Sequence, residues 1–135
     1  MGVLTMIVMD SHVWFWWINL EHQRLSGIIL DTIATANRIG VSPVSCFELA
    51  LAHKKGRLNL PLPLDKWFRF ALDGSDVELL PFDEKIATRA VKLSNIHHDP
   101  FDRIIIATAL QLNGKLASVD NRFSFYEEFS EILLS

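Results

Sequence analysis

Apolar and polar positions divide the chain into two alternating kinds of segment. Short apolar runs of strand length occupy 3–9, 41–44, 77–80 and 116–119, with a last short run at 132–134. Between them, longer stretches carry apolar residues at helical spacing, at 11–20, 25–38, 45–55, 64–72, 83–94 and 99–112. Strands that alternate with helices predict an α/β fold with a mostly parallel central sheet.

Size and composition predict one packed domain over residues 1–135. Half of the 135 residues are hydrophobic, and the chain has neither repeats nor a Gly/Ser linker. The single cysteine, Cys46, excludes an internal disulfide and predicts a reducing compartment, hence the cytoplasm. No apolar run is long enough to span a membrane, since Asp10 interrupts the N-terminal one.

Four acidic residues occupy equivalent places in this pattern. Asp10 directly follows the first strand, and Asp120 follows the strand at 116–119. Glu48 and Asp102 lie at the starts of helices. Because the carboxyl ends of parallel strands share one edge, we expect these carboxylates to converge there.

Each acid also has an alternative structural role. Ser45-x-x-Glu48 has the form of a capping box, and Asp99-Pro100-Phe101-Asp102 has the form of a helix start capped by Asp99. Asp10 could cap the next helix, and Asp120 could form a turn. On the residues alone, Asp83 remains a fifth candidate for the site.

Capping does not explain why so many carboxylates would share one edge. Two carboxylates about 5 Å apart repel by roughly 3 kcal/mol at an effective dielectric constant of 20. A cation would offset this repulsion, and oxygen ligands favour Mg²⁺ or Mn²⁺. The net charge of −3 becomes +1 without the four acids, so net charge neither favours nor excludes a nucleic-acid partner.

These residues carry a resemblance to PIN domains, and in particular to toxin ribonucleases of the VapC type. The segment that is most similar is His97-His98-Asp99-Pro100-Phe101-Asp102-Arg103. Further similar segments are Met9-Asp10-Ser11-His12-Val13, Ser45-Cys46-Phe47-Glu48-Leu49, Gly56-Arg57-Leu58-Asn59-Leu60-Pro61 and Leu116-Ala117-Ser118-Val119-Asp120. The resemblance covers essentially the whole chain, in order.

The resemblance implies a three-layer fold, with helices flanking a central sheet of order 3-2-1-4-5. That order places the 77–80 strand at an edge and moves Asp83 away from the site. It also implies Mg²⁺- or Mn²⁺-dependent cleavage of RNA, usually restrained by an antitoxin protein. By position, the residues implied to bind the metal are Asp10, Glu48, Asp102 and Asp120.

Other residues near these acids are candidates for supporting roles. Ser118, where many relatives have Thr, is expected to orient Asp120, and Asp99 is expected to cap rather than to bind metal. Arg103 and Arg122 each lie beside a site acid and could bind substrate phosphate or form salt bridges. The basic segment with Lys54, Lys55 and Arg57 could contact phosphate or be a solvated helix end.

The consecutive aromatic residues Trp14, Phe15, Trp16 and Trp17 point around a helix rather than along one face. We therefore expect some of these rings in the core and some against a partner, either the antitoxin or a second copy in a homodimer. The alternative is that all four rings fold into the core.

Two other functions are compatible with parts of the sequence. A PIN-like protein without catalysis would act as a binding module, although the presence of all four acids weighs against it. A different Mg²⁺-dependent phosphohydrolase is the second alternative. A haloacid-dehalogenase-like enzyme would need Asp-x-Asp after the first strand, where this chain has Asp10-Ser11-His12.

Overall fold

A computed structural model describes residues 5–93, 99–119 and 133–135 of the chain. The strands within these ranges are β1 Met6–Met9, β2 Arg38–Val41, β3 Val77–Leu79, β4 Lys115–Ala117 and β5 Leu133–Leu134. The helices are α1 Ser11–Ile18, α2 Gly27–Thr35, α3 Pro43–Lys54, α4 Leu64–Leu72, α5 Glu84–Lys92 and α6 Pro100–Gln111, with a 3₁₀ turn at His22–Arg24.

The strands form one sheet of order β3-β2-β1-β4-β5, in which every pair of neighbours is parallel. The central strand β1 places Ile7 opposite Ile39 of β2, and Val8 opposite Leu116 of β4. This confirms the predicted fold class and the strand order 3-2-1-4-5. Because all five strands run the same way, their carboxyl ends lie at a single edge.

Apolar side chains on both faces of the sheet pack against helices. Ile7 and Met9 of β1 face a cluster that includes Trp14 of α1 and Trp67 of α4. Val8 points to the opposite face, into a second cluster with residues of α6. The three layers are therefore helices, sheet and helices, as predicted.

The boundary between β2 and α3 differs from the prediction. The strand predicted at 41–44 begins at Arg38 instead, and the helix predicted from Ser45 already begins at Pro43. The Ser42 side chain caps this helix by accepting from the backbone N–H of Val44 at 3.3 Å. Proline at the first helical position fits this start, because its missing N–H needs no partner there.

The start of β2 is also stabilised from the next strand. The Arg38 guanidinium donates twice to the Glu78 carboxylate of β3, at 2.9 and 2.7 Å. The helix predicted over 25–38 accordingly ends at Thr35. Asp83, at the β3 edge, accepts from the backbone N–H of Ile86 and caps α5.

Within the ranges described, no helix has the length and apolar character needed to cross a membrane.

Candidate active site

Asp10 connects β1 to α1 and is almost completely buried. One of its carboxylate oxygens, Oδ1, accepts from the backbone N–H of Val13 at 2.8 Å and so caps α1. The other, Oδ2, accepts from the hydroxyl of Ser118, just beyond β4. The protein thus orients both oxygens. Asp10 caps α1 and can belong to the acidic site at the same time.

Glu48 does not belong to a capping box, because Ser42 rather than Ser45 caps α3. Its carboxylate lies in the second turn of α3, where Oε1 accepts from the Ser11 hydroxyl at 2.9 Å. The Ser45 hydroxyl lies 3.0 Å from that of Ser11 and shares a hydrogen bond with it. Two serines on two helices therefore hold Glu48 beside the start of α1.

Asp99 and Asp102 lie together at the start of α6 in different roles. The Asp99 carboxylate accepts from the backbone N–H of Phe101 at 2.9 Å and, more weakly, from that of Asp102 at 3.5 Å. It is therefore the N-cap, with Pro100 at the first helical position. Asp102 is only 7% exposed, and its side chain is not the one that caps α6.

The acids influence each other electrostatically. Burial raises the pKa of Asp10; the hydrogen bonds from Ser118 and Val13 counteract this rise, and Asp102 adds to it. Burial also raises the pKa of Glu48 to about 7, with further upward contributions from Asp102, Asp99 and Asp10. Acids from α1, α3 and α6 thus share one low-dielectric region, where their ionised forms are disfavoured.

The donor set fits a hard divalent cation. Asp10, Glu48 and Asp102 offer carboxylate oxygens, the ligands that Mg²⁺ and Mn²⁺ prefer, and a positive charge would offset their mutual repulsion. Over residues 5–93, 99–119 and 133–135, however, no three His, Cys, Asp or Glu side chains lie close enough to form a metal site. The fourth predicted acid, Asp120, lies outside the described residues, as does Arg122.

Arg103 follows Asp102 but has its guanidinium directed at another helix. It donates to the backbone carbonyls of Ala90 at 3.1 Å, Val91 at 3.3 Å and Leu93 at 2.6 Å. These carbonyls lie at the end of α5, where helices leave acceptors unsatisfied. This placement supports a structural role for Arg103, while contact with substrate phosphate, one of the two roles that the sequence left open, stays a prediction.

Sequence reasoning missed two residues of this site, Ser11 and Ser45, both of which are buried. A signal for Ser45 was present, because residues three apart lie on one helix face and Ser45 therefore shares a face with Glu48. That spacing was interpreted as a cap. Ser118 was expected to orient Asp120, which lies outside the described residues, so that role stays a prediction; among the described residues Ser118 donates to Asp10.

A cleft of about 300 Å³ opens beside Glu48. Its walls include Ser11 and His12 of α1, Phe101 of α6, and the cations Lys55 and Arg57 at the end of α3. The two cations of this cleft can attract a negatively charged substrate toward Glu48.

Fold and acids together define the class of this protein: an open parallel α/β sheet with buried carboxylates at the carboxyl edge of its central strands. The sequence model of the PIN domain matches residues 7–128. The chain belongs to the PIN-domain family.

Several known proteins are similar over most of the chain. Ribonuclease VapC22 of Mycobacterium tuberculosis is 34% identical over 120 residues, which cover 88% of this chain and 90% of the relative. VapBC2 from Rickettsia felis, solved with a DNA fragment from its promoter, includes a chain similar at a TM-score of 0.70 and 18% identity, covering 96% and 98% of the two chains. FitAcB from Neisseria gonorrhoeae has a TM-score of 0.59 and 16% identity, with 96% of each chain covered. At such identities the structural likeness concerns the fold.

Proposed function

We propose that this PIN-domain protein is an endoribonuclease that hydrolyses phosphodiester bonds with Mg²⁺ or Mn²⁺. The observation that carries the proposal is the burial of Asp10 and Asp102 beside Glu48, in a region that raises the pKa of Asp10 and Glu48. Perturbed carboxylates on separate elements are typical of functional sites. The similarity to a protein named as a ribonuclease supports the same activity.

The metal would be held by Asp10, Glu48, Asp102 and Asp120. When bound at such a site, a divalent ion supplies two kinds of chemistry, activation of water and stabilisation of the charge that develops on phosphate oxygens. The protein's part is to hold the ligands in place. Ser118 and the backbone of Val13 fix the carboxylate of Asp10, and the Ser11 hydroxyl fixes that of Glu48.

The proposed partner is an antitoxin protein. Among structures of similar fold, one is described as a toxin–antitoxin complex from Klebsiella pneumoniae and another as VapBC-1 from nontypeable Haemophilus influenzae. By this analogy we propose that the chain is the toxin of such a pair, a single PIN domain over residues 1–135 that acts in the cytoplasm. A homodimer is a further expectation.

Substitution of Asp10 tests the proposed activity. Asp10→Asn removes a ligand charge without changing side-chain size, and asparagine also caps helices well, so the fold should remain intact. We expect cleavage of RNA in Mg²⁺ or Mn²⁺ to fall by on the order of 10²-fold or more, and EDTA to abolish cleavage by the wild type.

Asp31→Asn is a matched control, because Asp31 is an exposed aspartate on α2, away from the site. Full activity of Asp10→Asn, or activity of the wild type that EDTA does not change, would rule out the proposed mechanism. Thermal melts of both variants check that the fold is retained.

A further inference from the structure

Two phenylalanines lie beside the acids. Phe47 on α3 immediately precedes Glu48, and Phe101 on α6 immediately precedes Asp102. Their ring centroids are 5.4 Å apart and the ring planes are inclined at 52°. Phe47 is 56% exposed, and Phe101 is half-buried and lines the cleft beside Glu48. An aromatic surface thus adjoins the acids, and much of it is not used by the core.

Cations continue this surface along the same cleft. Glu48 lies on α3, and Lys55 directly follows the last residue of that helix, seven positions later, which corresponds to about 10 Å along the helix axis. Arg57 comes two residues further on and also lines the cleft. Both cations are exposed, and in the described ranges neither forms an ion pair with a carboxylate.

We propose that Phe47 and Phe101 form a stacking platform for unpaired bases of single-stranded RNA, while Lys55 and Arg57 bind phosphates of the same strand. The proposal deepens the proposed ribonuclease function and rests on it. Aromatic rings stack on any base that is free of a duplex, and a cationic groove follows the backbone without reading sequence. The combination of one exposed and one half-buried aromatic ring, cations without an ion pair in the described ranges, and proximity to the acids favours a nucleic-acid strand over a protein as the occupant.

The platform predicts a loss of RNA affinity on removal of one ring. Binding of a short, fluorescently labelled single-stranded RNA is measured by anisotropy in EDTA, so that metal-dependent cleavage does not occur. Phe47→Ala should weaken binding about tenfold, within the range for loss of one stacked base. Phe70→Ala on α4 is the matched control, because Phe70 is 52% exposed and lies on a different surface, beside Ile18 and Leu60. It should bind RNA like the wild type.

The role of Lys55 and Arg57 is tested separately, by how the affinity for RNA depends on salt concentration. Each phosphate contact with a single strand adds about 0.7 to the slope of log affinity against log salt concentration. Replacing both Lys55 and Arg57 by Gln should therefore reduce that slope by about 1.4. Lys66→Gln is the control, since Lys66 is an exposed cation on α4 and does not line the cleft. It should leave the slope unchanged.

Several outcomes would overturn the platform. Equal affinity of Phe47→Ala and Phe70→Ala for single-stranded RNA would contradict it. So would an equal loss of affinity of Phe47→Ala for single-stranded and for duplex RNA, because a duplex offers no free bases. Loss of binding to a protein partner alone, with RNA binding retained, would assign the rings to a protein interface instead. If the wild type cleaves RNA in Mg²⁺ while Phe47→Ala binds normally, only the platform is wrong. If the wild type neither binds nor cleaves RNA, the proposed function fails as well.

Discussion

At the scale of single residues, Asp99 and Asp102 provide a direct comparison, since both lie at the start of α6. Asp99 accepts from two backbone N–H groups, so Asp99→Asn should retain much of the activity, because asparagine caps well. Asp102→Asn should lose nearly all activity, by on the order of 10²-fold or more, since the buried Asp102 has no such role. RNA cleavage and thermal melts of both variants check this expectation.

The same two variants would show whether the roles of Asp99 and Asp102 are assigned wrongly. Equal and complete losses would mean that Asp99 belongs to the metal-binding set. Equal and mild losses would remove Asp102 from it.

Glu48 predicts how the stability of the metal-free protein changes with pH. Its pKa is about 7 in the folded chain, against an ordinary value of 4.5. Between these values the folded chain binds more protons than the unfolded chain, so the free energy of unfolding falls as pH rises. Because Glu48 is half-buried, we expect a loss on the order of 1 kcal/mol after allowing for solvent screening.

Thermal melts in EDTA across this window measure the effect. Glu48→Gln cannot ionise and should show a shallower decline, with the remainder due to Asp10, whose pKa is also raised. If the stability of the variant and of the wild type declines equally with pH, ionisation of Glu48 does not cause the decline.

The sequence could bring Asp10, Glu48 and Asp102 to one edge because each was predicted to follow a strand or to begin a helix, although the helix of Glu48 begins at Pro43. The fourth acid, Asp120, stays a prediction. The serines that position Glu48 could not be predicted in this way. Ser11 contacts Ser45 and Glu48 across 34 and 37 residues of chain, and only the packing of α1 against α3 brings them together. A single sequence carries no signal for such a tertiary contact.

At the scale of elements, the aromatic residues of α1 divide into two pairs. Trp14 and Phe15 are buried, and Trp14 packs against Trp67 of α4 with ring centroids 5.2 Å apart. Trp16 and Trp17 are half-buried. The partial burial of the segment agrees with the sequence prediction, whereas contact with a partner stays a prediction.

Alanine substitutions in α1 test which rings stabilise the core and which contact a partner. Trp14→Ala should destabilise the fold by roughly 3–5 kcal/mol, because it leaves a large cavity. Trp16→Ala and Trp17→Ala should reduce the melting temperature less and weaken assembly with the antitoxin by about 2 kcal/mol or more for the ring that contacts it. Titration calorimetry and thermal melts of the three variants measure both effects. If none weakens assembly selectively, α1 does not provide the partner surface.

Local sequence signals predicted some helix boundaries well and others poorly. The helix predicted at 64–72 is observed with those bounds, because its apolar periodicity is clear and Pro63 precedes it. The start of α3 was misplaced because two serines, Ser42 and Ser45, both precede plausible helix starts. Pro43 decides between them in the structure, since proline is accepted at the first helical position and not deep in a helix.

At the scale of the whole molecule, metal binding should be visible in stability. A ligand that binds only the folded chain at about 100 times its Kd stabilises it by about 2.7 kcal/mol, or about 10 °C in Tm for a domain of this size. We expect such a rise on adding Mn²⁺ near neutral pH, and none for the double variant Asp10→Asn and Asp102→Asn. A rise of equal size in the double variant would place the ion elsewhere.

The parallel pairing of β1 with β4 has a consequence for how the protein is made. The backbone N–H of Asp10 donates to the carbonyl of Ala117, and its carboxylate accepts from Ser118, which lies 108 residues later in the chain. Pairing over such a separation forms late, because long loops must close first. A nascent chain that has not yet reached β4 therefore lacks the strand that fixes Asp10, and a cell translating this protein would meet its nuclease activity only after β4 and Ser118 have been synthesised.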